Sequence, residues 1–136
     1  APPGALPESV CEHMSHFKAV LGEQRRVDDN IMLRLNATAG VDCQALLGEL
    51  QAAYRRRERD IGHCLGVLDR KIAQRQSQGA PSFSLETQRT WVDNEHGVER
   101  IVMRRSLAAF RSRCPLLELP AEYTALLDGT PALAGN

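Results

Sequence analysis

Residues 42–76 read DCQALLGELQAAYRRRERDIGHCLGVLDRKIAQRQ, a helical pattern that carries two of the four cysteines in the 136-residue chain. One heptad line, through positions 43, 50, 57 and 64, reads Cys, Leu, Arg, Cys. Its companion, through positions 47, 54, 61 and 68, reads Leu, Tyr, Ile, Leu. No proline interrupts the run, and Asp42 stands where an N-cap is favoured. The stretch therefore predicts a long central helix whose buried seam includes one arginine, Arg57.

The two cysteines of this helix are too far apart to bond to each other. Cys43 and Cys64 are separated by about 31 Å at the standard helical rise, several times the span of a disulfide. Each is therefore a free thiol or bonds to a neighbouring element that carries Cys11 or Cys114. Chance thiols, a metal site and a disulfide frame all fit four cysteines, and composition alone does not choose between them.

The segment before the central helix is predicted to form a helix from Glu8 or Ser9 to Asn36. Its apolar stripe is interrupted by Gln24 and Asp28. Its predicted inward residues are Val10, Met14, Phe17, Leu21, Ile31 and Leu35. Because the connection 37–41 is short, this helix and the central one are expected to be antiparallel neighbours.

A third helix is predicted after the Gly- and Pro-containing break 77–82. Its expected N-cap is Ser82 or Ser84, and Pro115 closes it. Its predicted inward residues are Leu85, Trp91, Val98, Ile101, Val102, Phe110 and Cys114. Tyr54 of the central helix is expected in the same core.

Antiparallel geometry selects one disulfide pairing, because residues level with each other across a helical hairpin are equidistant from its turn. The midpoint of positions 11 and 64 falls in the first connection, and that of 43 and 114 falls in the second. The predicted disulfides are therefore Cys11–Cys64 and Cys43–Cys114, since the other pairings join opposite ends of the bundle. Loops of this size contribute about 4 kcal/mol each in the chain-entropy model.

The predicted fold class is all-α: an antiparallel three-helix, coiled-coil-like bundle stapled by two disulfides, with a short C-terminal helix in an extended tail. The predicted divisions are an N-terminal extension, 1–8, a helical domain, 9–114, and a docking tail, 115–136. Pro120 is expected at the first position of the short helix, 121–127, which Gly129-Thr130-Pro131 ends.

The tail is more apolar than an extension of its length needs, which favours a segment that binds a protein partner. The residues predicted to bind the partner are Leu116, Leu117, Leu119, Tyr123, Leu126 and Leu127.

Composition narrows the possible functions. The formal net charge is zero, so no nucleic-acid partner is expected. No apolar run is long enough to span a bilayer, and the opening residues show neither a basic leader nor an Arg-rich amphipathic pattern, so no cleavable address is expected. Scarce aromatic residues indicate slender helices packed by aliphatic side chains.

Several polar residues could form a metal site or a catalytic site, but a structural role is favoured for each of them. A zinc site would use Cys11, His13, His16, His63 and Cys64, but these lack a tight Cys-x-x-Cys pair. No metal, cofactor or catalytic residue is therefore predicted.

Charged residues along the first two helices are likewise assigned structural roles. Asp28 and Asp29 point apart as helical neighbours, so pairing of an acid with Arg25 or Arg57 is favoured over catalysis. The basic run 55–59 is interpreted as a solvated helix face. Arg57 is the exception, because a cation on the seam needs a buried carboxylate or the edge of the bundle.

The residues resemble a known family along positions 11–114. The first helix reads Cys11-Glu12, Phe17, Leu21, Arg25, Asp28-Asp29, Ile31 and Leu35-Asn36. The second reads Cys43, Leu46, Leu50, Ala52-Ala53, Arg57, Arg59, Ile61 and Cys64, and the third closes with Val98-Glu99, Val102, Arg105-Ser106, Phe110 and Arg113-Cys114. This pattern resembles the 23-kilodalton mitochondrial intermembrane-space cysteine-motif family, also called coiled-coil domain-containing protein 58.

The resemblance implies a small helical protein of the mitochondrial intermembrane space with no enzyme activity. It implies oxidation by the disulfide-relay oxidoreductase during import, and a role in supporting protein import. The chain departs from the family in a shorter first connection, in a shorter segment between Cys64 and Cys114, and in the Pro/Leu/Ala tail after Cys114.

Two functions follow as hypotheses. The first is a non-enzymatic interaction protein of the intermembrane space that acts through its surface. The second is a permanent accessory subunit of a large mitochondrial assembly, such as a respiratory complex or ATP synthase, that recruited this fold. A redox carrier is disfavoured, because the chain has no Cys-x-x-Cys spacing.

Overall fold

The computed structural model describes residues 4–36 and 40–129, and these form five α-helices and no strand. The helices are α1 (Glu8–Cys11), α2 (Met14–Leu35), α3 (Cys43–Ser77), α4 (Phe83–Arg113) and α5 (Ala121–Asp128). The predicted all-α bundle with a short C-terminal helix is confirmed. The predicted features at 1–3, at 37–39 and at 130–136 lie outside the described residues.

The central helix α3 follows the predicted pattern. The Ala45 N–H donates to the Asp42 side chain over 3.0 Å, so Asp42 caps the helix as expected. All eight residues on the two seam lines are buried, except Cys43, which is half-buried. At its other end, Gly79 adopts a left-handed conformation with φ 68°, which ends the helix at the predicted break.

The predicted first helix is wrong in one respect, because it is two helices separated at Glu12 and His13. In a continuous helix Cys11 would lie about 120° around the axis from Phe17, so both side chains could not enter the core. The extended backbone of His13, φ −124° and ψ 104°, breaks the helix, and both Cys11 and Phe17 are fully buried. The helix is therefore broken between α1 and α2, which lets Cys11 reach Cys64 while Phe17 stays in the core.

The predicted inner face of α4 is also wrong for three residues, since Trp91, Val98 and Ile101 are exposed. The helix instead buries a more polar line, made of Gln88, Val92, Glu95, Glu99, Ser106, Leu107 and Phe110. Carboxylates face inward because two arginines of α2 and α3 need partners there. Ser82 is the N-cap residue, but its hydroxyl donates to the Glu86 side chain.

Two apolar clusters lie at opposite ends of the bundle, and each contains one disulfide. The first cluster surrounds Cys11–Cys64 and includes Phe17, Leu21, Ile61, Val67, Leu68 and Val92. The second surrounds Cys43–Cys114 and includes Ile31, Leu35, Leu46, Leu47, Leu50, Tyr54, Leu107, Phe110, Leu119 and Tyr123. On all three long helices, the charged buried residues fall between the positions of these clusters.

The segment after Cys114 folds back onto the second cluster. Pro120 precedes α5 as its N-cap residue rather than occupying its first position, and Gly129 ends the helix in a left-handed conformation. Leu119 and Tyr123 are buried, and the Tyr123 ring packs edge-on against Tyr54 with centroids 5.9 Å apart. None of the five helices is long and apolar enough to cross a membrane.

Candidate interaction site

Arg57 is the charged centre of the bundle, and none of its side chain is exposed. Its Nε donates to Glu99 of α4 over 2.6 Å, and its Nη1 donates to Asp28 of α2 over 2.9 Å. The sequence predicted either a buried carboxylate for this arginine or a position at the edge of the bundle, and the structure provides two buried carboxylates. One guanidinium on α3 thus ties together all three long helices.

Arg25 adds a second cation to this layer. Its Nη1 donates to Glu95 over 3.0 Å, and its Nη2 donates to Glu99 over 3.2 Å. Glu99 therefore accepts from two arginines on two different helices. We call Arg25, Asp28, Arg57, Glu95 and Glu99 the charged layer.

Neutral groups add contacts to the charged layer, although Arg57 Nη2 and the Tyr54 hydroxyl have no hydrogen-bond partner among the described residues. Ser106 of α4 donates to Asp28 over 2.6 Å, so this carboxylate accepts from both α3 and α4. The Arg57 guanidinium lies 5.2 Å from the centroid of the Tyr54 ring, a cation–π arrangement. These contacts fix the relative rotation of the three helices about their axes.

The electrostatics of the charged layer and of Tyr54 beside it favour a structural role over proton transfer. Burial opposes the charge on Arg57, but its hydrogen bonds and charge attraction to Asp28 and Glu99 raise the pKa of the guanidinium above its ordinary value. Burial, aided by the charge of Asp28, raises the pKa of Tyr54 well above its ordinary value. The cation therefore stays protonated and the phenol stays neutral near physiological pH, so neither group exchanges protons there.

The four cysteines form the predicted bonds. Cys11 and Cys64 have Cα atoms 4.9 Å apart, and Cys43 and Cys114 have Cα atoms 6.1 Å apart, both ordinary separations for a disulfide. Each bond joins α3 to a different element, so both ends of the bundle are cross-linked.

Of the three histidines considered as metal ligands, His13 and His63 lie within hydrogen-bonding distance of backbone oxygens. His13 Nδ1 lies 2.7 Å from the Ser9 carbonyl oxygen, and His63 Nε2 lies 2.8 Å from that of Leu6. No group of three metal-ligating side chains occurs within residues 4–36 and 40–129. These histidines fasten the N-terminal turn to the bundle.

The outer face of α4 carries four exposed hydrophobic side chains. Phe83, Trp91, Val98 and Ile101 are 79%, 49%, 40% and 60% exposed. Phe83 and Ile101 are eighteen positions apart, about five full turns, and the other two lie within about 80° of them around the axis. Three of the four are residues that sequence reasoning placed inside the bundle. The sequence pattern correctly predicted that these residues share one face of the helix, but that face points to solvent and not into the bundle.

Charge is distributed unevenly beside this face. Glu86 and Asp93 are exposed on its N-terminal half, and Arg100 and Arg104 are exposed on its C-terminal half. All four lie on the same flank, within about 40° of each other around the helix axis. The outer face of α4 is therefore a mainly apolar stripe, interrupted by the exposed Asn94 and Arg105, beside a flank with an acidic half and a basic half.

The six residues predicted to bind a partner fall into two groups. Leu119 and Tyr123 are buried, and Leu117, Leu126 and Leu127 are partly buried against the same cluster. Leu116 alone is fully exposed. In this arrangement Leu119 and Tyr123 are not accessible to a partner, and partner binding by the others stays a prediction.

Four of the seven large hydrophobic side chains that are exposed in the described residues thus lie on the outside of α4, while Val27, Leu33 and Leu116 are exposed elsewhere. No protein-family model matches the chain, and no solved structure matches it significantly.

Proposed function

We propose that the chain is a non-enzymatic interaction protein of the mitochondrial intermembrane space, and that it binds other proteins through the outer face of α4. The observation that carries this proposal is the arrangement of α4. It turns Glu95 and Glu99 inward while Trp91, Val98 and Ile101 face outward. Burying apolar side chains is favourable and burying carboxylates is costly, so an isolated bundle gains nothing from this orientation beyond the charged layer. A protein partner would bury the stripe.

Two further observations support the location. Disulfides persist in oxidising compartments, and the two bonds here cross-link both ends of a small bundle. The resemblance to the intermembrane-space cysteine-motif family points to the same compartment and to support of protein import. The disulfide-relay oxidoreductase is then the partner that oxidises the newly imported chain.

Site-specific crosslinking in intact mitochondria tests this function. A photoreactive amino acid in place of Ile101 should crosslink to one or a few proteins, because that side chain lies in the proposed contact. The same amino acid in place of Arg56, an exposed residue of α3, is the matched control. Equal crosslinking from both positions would overturn the assignment of the face. Resistance of the chain to protease after rupture of the outer membrane alone would overturn the location.

A permanent accessory subunit of a large mitochondrial assembly is the second candidate. It is favoured by the extent of exposure of Phe83 and Leu116, because permanent interfaces are more apolar than transient ones. In native gels this function predicts that nearly all of the chain migrates with a large complex. A chain that migrates mainly as a small species would exclude it.

A further inference from the structure

We propose that two copies of this chain pair through the outer faces of their α4 helices, which lie antiparallel across a twofold axis. This inference rests on the proposed function, because it names an occupant for the same surface. The pair would bury Phe83, Trp91, Val98 and Ile101 of both copies against each other. The arguments for a second copy come from charge, from helix position and from one glycine.

Charge complementarity selects a second copy in an antiparallel orientation. In antiparallel helix pairs each flank of one helix meets the same flank of the other. The acidic half of the flank, Glu86 and Asp93, then faces the basic half, Arg100 and Arg104, of the partner copy. Asp93 and Arg100 carry this argument, because Glu86 already accepts from Ser82 and Arg104 already donates to the Leu126 carbonyl oxygen. Because the pair has twofold symmetry, each favourable contact occurs twice in the interface. In a parallel pair each flank would instead meet the opposite flank of the partner, so these four residues would not face each other.

The positions of the paired charges agree on a single axis. Asp93 and Arg100 have their midpoint between residues 96 and 97, and Glu86 and Arg104 have theirs at residue 95. Both midpoints lie within one helical turn, so one axis satisfies both pairs. Trp91 and Val98 lie on either side of this axis, where the two apolar stripes would cross.

The helix dipole accounts for Glu86, which lies in the first turn of α4, but not for Asp93 and Arg100. Acidic residues are favoured in the first turn of a helix and basic residues in the last, and the effect fades beyond those turns. α4 runs from Phe83 to Arg113, so Asp93 and Arg100 lie well inside it. Neither residue makes a hydrogen bond or an ion pair to any part of the chain that the structure describes, although the charge of Asp93 acts on Arg89 one turn away. The proposed pair gives both Asp93 and Arg100 a partner of opposite charge.

Gly97 lies at the proposed crossing point. A glycine inside a helix costs about 1 kcal/mol relative to alanine. A Cβ atom built at Gly97 would meet nothing within 4 Å, so the packing of the single chain does not require a glycine there. At a helix crossing, the missing side chain lets two backbones approach closely. This use adds to the charge argument and does not carry the proposal alone.

The interface is expected to be of moderate strength. The 31 residues of α4 span about 46 Å, and one helix face of that length is at the small end of specific interfaces. We therefore expect a dissociation constant in the micromolar range, about 1 to 100 μM. Sedimentation equilibrium of the oxidised full chain across this range should show a reversible monomer–dimer equilibrium.

Charge reversal provides a test with an internal rescue. In a homodimer, Asp93→Arg places two arginines opposite each other at both contacts with Arg100, and Arg100→Asp places two aspartates opposite each other at both contacts with Asp93. Each variant alone should dimerise at least about tenfold more weakly than the wild type. An equal mixture of the two variants restores an attractive contact in the mixed dimer and should dimerise more tightly than either variant alone. Arg56→Asp on α3 is the control and should leave the equilibrium unchanged.

Each outcome decides the proposal. A wild-type chain that stays monomeric well above 100 μM overturns it, and so does a dimer that neither single variant weakens. Weakening without rescue in the mixture also overturns the antiparallel pairing. Circular dichroism and the absence of alkylatable thiols confirm that each variant is folded and oxidised. If the chain is monomeric while position 101 still crosslinks to other proteins in mitochondria, the self-pairing fails and the proposed function stands.

Discussion

Arg57 shows how a single residue can set the arrangement of a bundle. A buried cation is tolerated only with partners, and here the partners come from two other helices, Asp28 on α2 and Glu99 on α4. The requirement for a buried carboxylate could be predicted from the heptad line alone. The identity of the second partner could not, because Glu99 is distant in sequence and its line along α4 is less apolar than the line next to it.

Replacing Arg57 with alanine should lower the free energy of unfolding by about 3–5 kcal/mol, because Asp28 and Glu99 would be left buried without their shared cation. Arg56→Ala, one position away on the exposed side of α3, should change it by less than about 0.5 kcal/mol. Urea unfolding of the oxidised proteins measures both. Equal effects of the two substitutions would show that the charged layer does not stabilise the fold.

The two tyrosines give a prediction for alkaline pH. Burial raises the pKa of both Tyr54 and Tyr123 above the ordinary value of 10.0. Below pH 10 both phenols are neutral in the folded and unfolded states, so their contribution to stability is constant there. Above it the unfolded state ionises first, and stability falls as the pH rises. Phenolate absorbance should therefore appear together with loss of helical circular dichroism. Ionisation of both tyrosines in a fully helical protein would contradict their burial.

At the scale of the elements, α4 is the helix that sequence reasoning oriented incorrectly. It carries two lines with helical spacing, one more apolar through Trp91, Val98 and Ile101, and one more polar through Gln88, Glu95 and Glu99. Hydrophobic periodicity favours the first line for the core. The second line faces the core instead, because Arg25 on α2 and Arg57 on α3 require carboxylates as partners there. α3 was predicted correctly because its cap, its breaks and its seam are all local in sequence.

The segment after Cys114, which includes α5, is the part of the chain whose role differs most between the sequence-based prediction and the structure. Leu119 is buried in the apolar cluster around Cys43–Cys114, whereas Leu116 is fully exposed. Leu119→Ala should therefore lower the free energy of unfolding by about 2 kcal/mol or more, and Leu116→Ala, its matched control, by less than about 0.5 kcal/mol. Chemical unfolding measures the difference. If Leu119→Ala is as mild as Leu116→Ala, the segment after Cys114 is a separable tail, as its sequence suggested.

At the scale of the whole molecule, the bundle and its covalent frame were predictable together. Disulfide geometry allows only short Cα separations, and two hairpin turns leave one pairing that meets this limit. The break at Glu12 and His13 was not predictable from periodicity, which reads continuously from Val10 to Leu21. It is visible only once Cys11 and Phe17 are required to enter the same core.

The two disulfides close segments whose ends are 53 and 71 positions apart. Each should contribute about 4 kcal/mol in the chain-entropy model, comparable to the whole stability of a small domain. Reduction should therefore lower the melting temperature by about 15 °C or more. Thermal unfolding followed by circular dichroism, with and without reductant, measures the shift. A reduced protein that melts within a few degrees of the oxidised one would show that the core suffices without its cross-links.

The charged layer separates the two apolar clusters, so the bundle has two halves and each half is cross-linked by its own disulfide. Loss of Cys11–Cys64 leaves Cys43–Cys114 closed, so one end of the bundle can fray while the other keeps its packing. Amide hydrogen exchange in a variant lacking one bridge would then divide α3 near Arg57, with fast exchange on one side and slow exchange on the other. During oxidation, the half that closes first would act as a template, holding the remaining two thiols in the neighbourhood of each other until the second bond forms.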